Sequence, residues 1–397
     1  MTAQAPAPAR TTTLPARGAA PAAPARPPRR RTAGMTRADL GAAAGCAISS
    51  FFITWLIFAK LTDATGRLGF LTVWYLFFLG LLYAVGRDAI GHLGALDRVA
   101  GTIVRTGLLA LVVPLGMLLV YVAVEGLPAL RPGFFLHDQA GITPDMPATE
   151  GGGLHAIVGT LEQVGLALLW SVPLSVLTAI FLNETRSRFR RPLRVMVDAM
   201  SGLPSIVAGL FVYAALIIPL GHRTPLFGFN GLMASLALTL VMVPTVTRTV
   251  EVVLRLVPDG LREASLALGA SRARTVWTVV LPTARTGVTT AVVLGVARAV
   301  GETAPLLYTS FGLSLFNANP FAEPQDSLPL FVYSNVQKPS ESAAERGFTG
   351  ALVLIAVVLA LFALARFIGR DRSRRRTRPS AAARPSAGED PARKETS

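Results

Sequence analysis

The sequence has 397 residues, of which 52% are hydrophobic and 15% are charged. Since a soluble domain usually carries about 25% charged residues, this composition excludes an ordinary soluble protein and indicates a membrane protein with an apolar, lipid-facing surface. The formal net charge is +15, and the single cysteine, Cys46, excludes an intrachain disulfide framework.

The first 36 residues are rich in Pro, Ala, Thr and Arg and contain no aromatic residue. A segment of this kind cannot bury enough apolar surface to offset the entropy lost on ordering. We therefore expect residues 1–36 to form a disordered cytoplasmic tail. Residues 371–397 are dense in Arg, Ser and Ala, and this composition predicts a second disordered, basic tail.

Eight apolar stretches between the tails are long enough to cross the hydrocarbon core, which takes about 20 residues in a helix. In chain order they are 40–59, 68–86, 103–124, 158–182, 195–218, 229–250, 286–311 and 348–368. Because backbone groups in lipid must be hydrogen-bonded within the protein, each stretch is expected to be helical. The predicted fold is an all-α, polytopic integral membrane bundle.

The basic residues predict the orientation of this bundle. Eight spans place both termini on one side, and most of the 38 Lys and Arg lie in the tails and in the loops on that side. The opposite loops hold Lys60, Arg67, Arg131, Arg223, Lys338 and Arg346. The positive-inside rule therefore predicts a cell-membrane protein with both termini cytoplasmic. Because attraction to anionic membrane lipids explains this charge, and stacking aromatic residues do not alternate with it, we expect no nucleic-acid partner.

The cytoplasmic loop after the sixth span carries a patterned segment that begins Glu263-Ala264 and continues to Gly269. A glycine readily adopts the left-handed conformation that ends a helix, so two short helices separated at Gly269 are predicted. The first of them has an apolar face. Such a helix can enter a groove of a partner protein or lie on the lipid surface, and amphipathicity alone leaves both open.

The seventh span contains a pair of opposite charges. Arg298 and Glu302 lie four residues apart on one helix face, at a depth where a charge costs about 2.5–3.5 kcal/mol. Pro305 cannot donate to the carbonyl of Gly301, which predicts a break in the helix. Broken helices mark binding sites in transporters, and a guanidinium can donate two hydrogen bonds to an oxyanion. The pair can also simply lock two helices together.

These segments resemble those of ABC importer permeases. Glu263, Ala264 and Gly269 are similar to the EAA loop of that family, with Ser265 in place of the second alanine. The string Arg-Ala-Val-Gly-Glu-Thr-Ala-Pro-Leu-Leu at 298–307 resembles the signature of PstA-type permeases, the membrane subunits of bacterial phosphate ABC transporters.

The resemblance implies a division of the chain. A type I ABC importer permease has a core of six spans, which corresponds to residues 101–370 with the coupling loop at 255–282. Residues 37–100 would then form two extra N-terminal spans. The resemblance also implies that Arg298, Glu302 and Thr303 lie on the substrate pathway, with the helix break at Gly301 and Pro305.

A PstA-type chain would be a non-catalytic subunit of an inorganic phosphate importer. Its implied partners are a PstC-type second permease, two copies of a PstB-type ATPase that bind ATP and Mg, and an extracytoplasmic phosphate-binding protein. Glu263, Ala264 and Gly269 would couple it to that ATPase. Consistent with this, the sequence has no Walker A motif, and it suggests no catalytic, cofactor or metal site in this chain.

The residues alone leave two other transport functions open. One is an ABC importer for a different oxyanion, and the other is a secondary transporter coupled to protons through Glu302. Secondary transporters commonly contain internal repeats, and a second copy of the Arg-x3-Glu span is absent from the sequence. A membrane enzyme acting on lipid phosphates would need clustered carboxylates or histidines at one membrane face, and the sequence lacks such a cluster.

Overall fold

The computed structural model describes residues 37–62 and 66–368, and within these ranges the chain is mostly helical. The α-helices are α1 Arg37–Leu56, α2 Arg67–Gly126, α3 Leu154–Glu184, α4 Arg190–Ser201, α5 Ser205–Val212, α6 Ile218–Leu220, α7 Gly231–Arg255, α8 Asp259–Ala267, α9 Arg272–Thr275, α10 Leu281–Val300, α11 Ala304–Leu307, α12 Leu328–Val336 and α13 Glu341–Ile368. The β pairing found in these ranges is one bridge, between Phe311 and Gln325. The predicted all-α fold is therefore confirmed.

The described residues form two compact units, and the division falls between Val113 and Pro114. The sequence placed the end of the two extra spans at residue 100, some way before this division. The tails predicted to be disordered, 1–36 and 371–397, lie outside the described residues.

In the N-terminal unit, α1 packs against the first part of α2. Trp74 donates its indole N–H to the carbonyl of Ala47 at 3.1 Å. The rings of Phe51 and Phe70 meet edge to face with their centroids 5.5 Å apart, a favourable aromatic geometry. α1 is extended by a π-helical turn, Ile57–Leu61. The first two predicted spans therefore form a helical hairpin.

The 60 residues of α2 are too many for one span. At 1.5 Å per residue a straight helix of this length would extend about 90 Å, against a hydrocarbon core of about 30 Å. Gly91 interrupts the helix with a positive φ of 77°, between the predicted spans 68–86 and 103–124. By length and composition, six described helices can cross a membrane, and the bent pair α4–α5 makes a seventh. The predicted count of eight is reached only if the two stretches of α2 on either side of Gly91 are taken as separate spans.

In the C-terminal unit, α7 is the central helix. Polar side chains link it to α3, because Ser175 donates to the carbonyl of Val243 at 3.3 Å and Thr247 donates to the carbonyl of Ser175 at 3.5 Å. On α10, Gly295 lies so close to α7 that an added Cβ would stand 2.5 Å from a methyl group of Val246. Small residues and hydroxyl groups hold these helices together, as is common in membranes.

The predicted fifth span, 195–218, is wrong as a continuous helix. α4 ends at Ser201, α5 begins at Ser205, and the two helices are bent by 107°. Pro204 cannot donate to the carbonyl four residues earlier and disfavours a helical residue before it. α4 also carries four charged side chains, which are costly in hydrocarbon. The apolar part of this span is therefore α5 with its continuation through a π turn, Tyr213–Ile217, into α6.

The seventh span also differs from the predicted range 286–311. The helical run begins earlier, at Arg272, because α9 and a π turn, Val276–Val280, lead into α10 without a break. The run ends at Val300, well before the predicted end. Pro282 lies in the first turn of α10, two residues after the π turn, and local π adjustments help membrane helices to accommodate proline.

Candidate functional site

Arg298 lies in the last turn of α10, and Glu302 lies just beyond the end of that helix. The Nε atom of Arg298 is 3.5 Å from Oε1 of Glu302. This distance is long for a hydrogen bond between charged groups, which is usually 2.7–2.9 Å. The Arg298 side chain is 48% exposed, whereas that of Glu302 is 18% exposed. The guanidinium is therefore only loosely held and keeps much of its surface free.

Arg298 lines a cavity of about 320 Å³ in the C-terminal unit. The other walls come from the bend between α4 and α5 and from the middle of α7, and they include Ser201, Leu203, Pro204, Ser205, Pro244 and Thr245. Arg298 supplies the charged side chain of this lining, and most of the wall is apolar. A mostly apolar pocket with a few converging polar groups is the usual form of a small-molecule site.

The bend at Pro204 places the beginning of α5 at the cavity wall. Ser205 is the first residue of α5, and Pro204 before it is outside the helical conformation, with φ −57° and ψ 139°. The first N–H groups of a helix lack intrahelical acceptors, and the helix dipole makes this end positive. The guanidinium of Arg298 and the beginning of α5 therefore present positive charge to one cavity.

Two hydroxyl groups of the cavity lining have carbonyl acceptors within their own helices. Ser201 donates to the carbonyl of Val197 at 2.9 Å, and Thr245 lies 3.5 Å from the carbonyl of Val241. The second contact is weak by distance, so Thr245 has a hydroxyl that can turn into the cavity. Thr247, two residues further on, is buried against α3 and is not part of the lining.

The helix break lies between α10 and α11. Gly301 follows the last residue of α10, and Thr303 precedes α11 without a side-chain capping bond. Pro305 is buried and lies against α5, so that a Cβ added to Gly209 would stand 2.6 Å from the Cα of Pro305. Thr303 is half-buried and does not line the cavity, and neither does Glu302. Of the three predicted pathway residues, the structure places only Arg298 on the cavity wall.

The residues with a predicted coupling role lie on a short exposed helix. Glu263 and Ala264 are exposed on α8, and Gly269 follows that helix with a positive φ of 83°. Leu268, next to this glycine, is 89% exposed. Ser265 turns inward and shares a hydrogen bond of 2.9 Å with Thr275 of α9. α8 thus presents an uncovered, partly apolar face.

Arg262 attaches α8 to the membrane-spanning helices, which the sequence pattern did not indicate. Its Nη1 donates to the carbonyl of Val257 at 2.6 Å, and its Nη2 donates to the carbonyl of Leu254, near the end of α7, at 2.8 Å. Nη2 also donates to Glu184, the last residue of α3, at 3.1 Å. A contact with Asp259 at 3.0 Å completes the set. One guanidinium therefore joins three helices.

A second ionic cluster holds α4 to α7. Glu251 is 2% exposed and accepts hydrogen bonds from Arg194 at 2.5 Å and from Arg248 at 2.9 Å, and Arg255 is a third partner. Arg194 lies four residues before Asp198, a spacing that can form an ion pair within one helix, but here the two do not pair. Arg248 of α7 pairs with Asp198 instead. The pairs Arg194–Glu251 and Arg248–Asp198 therefore join α4 to α7, whereas the pairs of Glu251 with Arg248 and Arg255 lie within α7.

Comparisons with known proteins show the family of the chain. Residues 171–378 match the family described as "Binding-protein-dependent transport system inner membrane component". The chain is 39% identical over 290 residues to the phosphate transport system permease protein PstA 1 of Mycobacterium tuberculosis (strain ATCC 25618 / H37Rv), with 71% of this chain and 90% of the relative covered. It is 32% identical over 278 residues to the probable phosphate transport system permease protein PstA of Methanocaldococcus jannaschii, with 69% and 94% covered.

Among solved structures, the chain is similar in fold to a chain of the bacterial alginate ABC transporter in complex with an alginate pentasaccharide-bound periplasmic protein. The TM-score is 0.50 at 14% sequence identity, with 69% of this chain and 94% of the other covered. This similarity supports the predicted permease fold, that of a multi-pass membrane protein.

Proposed function

Because this chain belongs to the PstA family of phosphate transport system permeases, we propose that it forms part of the translocation pathway for inorganic phosphate in an ATP-driven importer. The observation that carries the proposal is the position of Arg298 on the wall of a cavity that also receives the beginning of α5. In this proposal a separate partner hydrolyses ATP, and this chain contributes no catalytic group to that reaction.

Phosphate suits this cavity for electrostatic reasons. A guanidinium can donate two parallel hydrogen bonds to a tetrahedral oxyanion, and N–H groups at the beginning of a helix bind anions. Glu302 holds Arg298 loosely, at 3.5 Å. When phosphate arrives, it replaces this carboxylate as the partner of Arg298. When phosphate leaves, Glu302 returns and prevents the guanidinium from retaining the anion.

The remaining partners follow from the family. A PstC-type second permease completes the pathway, and an extracytoplasmic phosphate-binding protein delivers the ion. Two copies of a PstB-type ATPase bind ATP and Mg and receive α8 in a groove, with Glu263, Ala264 and Gly269 in the contact. The exposed face of α8 and the attachment of that helix through Arg262 support this coupling role. The distribution of Lys and Arg supports a placement of α8 and both termini in the cytoplasm.

The proposal is tested by labelled-phosphate uptake into vesicles that contain the reconstituted complex. Arg298→Gln keeps a polar, hydrogen-bonding side chain, although a shorter one, and removes the charge; uptake should fall at least about tenfold, which corresponds to the loss of about 1.4 kcal/mol of binding. Glu302→Gln should retain binding but slow release. Arg223→Gln, an exposed position outside the cavity, is the matched control and should transport normally.

The same assay separates the alternative functions. Uptake should persist when the proton gradient is collapsed and should stop when ATP is removed, the opposite of the result for a proton-coupled transporter. Unlabelled sulfate in excess should not compete if the importer is specific for phosphate. Normal phosphate uptake by both the Arg298 and Glu302 variants, assembled at wild-type levels, would contradict the proposal.

A further inference from the structure

The segment between α3 and α4 concentrates positive charge in a way that the transport pathway does not use. Five arginines occur within nine residues, and together with Ser187 they line a recess of about 550 Å³: Arg186, Arg188, Arg190, Arg191 and Arg194. Only Arg194 has an ion pair among the described residues, with Glu251. The Nε atoms of Arg190 and Arg194 are buried and lack a hydrogen-bond acceptor in the described part of the chain. The recess therefore has unused donors and excess positive charge.

A second, apolar recess of about 530 Å³ lies beside the same segment. It is lined by Phe181 at the end of α3 and by Phe189, Pro192, Leu193 and Met196. Along the first turns of α4, these apolar residues alternate with the arginines at helical spacing, so the basic and apolar recesses occupy different faces of the same turns. Phe189 and Met196 are exposed.

The length of α3 places this segment at the membrane surface. α3 has 31 residues, which extend about 46 Å at 1.5 Å per residue. This is more than the hydrocarbon core of about 30 Å and is comparable to a whole bilayer with its headgroups. The residues that follow Glu184 therefore lie at headgroup depth, and α4, which is charged on one face and apolar on another, has the pattern of a helix that lies in the interface.

We infer that the α3–α4 segment is a binding site for one anionic phospholipid, with the headgroup phosphate in the arginine recess and an acyl chain in the apolar recess. Charge complementarity selects an anionic headgroup. Four of the arginines have no ion pair among the described residues, and the recess is lined by no carboxylate that would balance their charge. The adjacent apolar recess selects a lipid over a soluble phosphate. The inference rests on the membrane placement of the chain and is independent of the transported ion.

The site is tested by lipid binding to the purified complex in a neutral detergent. Native mass spectrometry counts retained lipids during titration with phosphatidylglycerol or with phosphatidylcholine of identical acyl chains. We expect one phosphatidylglycerol to be retained at least about tenfold more tightly than phosphatidylcholine. The variant R186Q/R188Q/R190Q/R191Q should lose this preference. A control with the same loss of charge, R372Q/R374Q/R375Q/R376Q in the C-terminal basic segment, should keep it.

Two further measurements identify the molecule that binds in the two recesses. Met196→Asn places an amide in the apolar recess and should weaken retention of phosphatidylglycerol while leaving the arginines intact. Inorganic phosphate at millimolar concentration should not displace the lipid. Equal retention of the two lipids, an equal loss in both quadruple variants, or displacement by inorganic phosphate would overturn the inference. Because no transport is measured, none of these outcomes bears on the proposed import of phosphate.

Discussion

Replacing Arg262 with alanine should separate ATP hydrolysis from phosphate movement. The guanidinium holds α8 to the carbonyls of Leu254 and Val257 and to Glu184. Hydrogen bonds that involve a charged group contribute about 1.5–3 kcal/mol each, whereas the contact with the exposed Asp259 is worth about 0–1 kcal/mol. Water replaces part of the hydrogen bonding that Arg262 provides. We therefore expect the attachment of α8 to weaken by about 3 kcal/mol, or about 150-fold in the ratio of attached to detached helix.

The assay is the number of phosphate ions taken up per ATP hydrolysed by the reconstituted complex. In Arg262→Ala this ratio should fall at least about tenfold, because a detached α8 still contacts the ATPase but moves without α3 and α7. Glu184→Gln should show a smaller fall, since the two carbonyl contacts remain. Arg272→Ala is the matched control, because this exposed arginine of α9 has no side-chain bond among the described residues. A wild-type ratio in Arg262→Ala would refute the reasoning.

Two further predictions concern the stability of contacts between helices. Gly209→Ala should destabilise the protein by about 1–3 kcal/mol, because the new methyl group would meet the backbone of Pro305 at 2.6 Å; thermal unfolding measures this, and Gly165→Ala, with open space around it, should be unaffected. Glu251→Gln should cost about 3–5 kcal/mol, because it leaves three arginines around a buried amide. Asp198→Asn, at a side chain that is 53% exposed, should cost less than about 1 kcal/mol in the same measurement, and equal losses in these two variants would contradict the assigned burial.

Local features of the chain were predictable because their causes lie within a few residues. Arg298 and Glu302 meet because Glu302, just past the end of α10, is still held by a backbone hydrogen bond from its N–H to the carbonyl of Ala299 in the last turn. Gly269 adopts a left-handed conformation, with φ 83°, at the end of α8, as its lack of a Cβ permits. In these cases the sequence spacing itself specifies the geometry.

Proline positions show where sequence spacing is insufficient. Pro114, Pro173 and Pro244 all lie inside helices that continue through them, whereas Pro204 separates two helices bent by 107°. The helix before Pro204 carries four charges, and Gly202 adds conformational freedom. In this chain the charges before Pro204, which are costly in hydrocarbon, distinguish it from the prolines that the helices pass through.

Contacts between helices were the least predictable part of the site. Asp198 has an arginine four residues before it, yet it pairs with Arg248 of α7. Arg262 reaches Glu184, 78 residues away in the chain. The resemblance implied a pathway position for Thr303, but α10 ends at Val300, so helical periodicity does not carry Thr303 onto the face of Arg298.

α7 links the cavity to the coupling helix. Thr245 of α7 lines the cavity, and the carbonyl of Leu254, nine residues later, accepts a hydrogen bond from Arg262. These two positions are about 14 Å apart along one helix. α7 has the highest buried share among the described candidate spans, and packed helices tend to move as rigid bodies. A displacement of α8 that reaches Leu254 would therefore move the wall at Thr245 relative to Arg298, which stands on α10, and would change the access of an anion to the guanidinium.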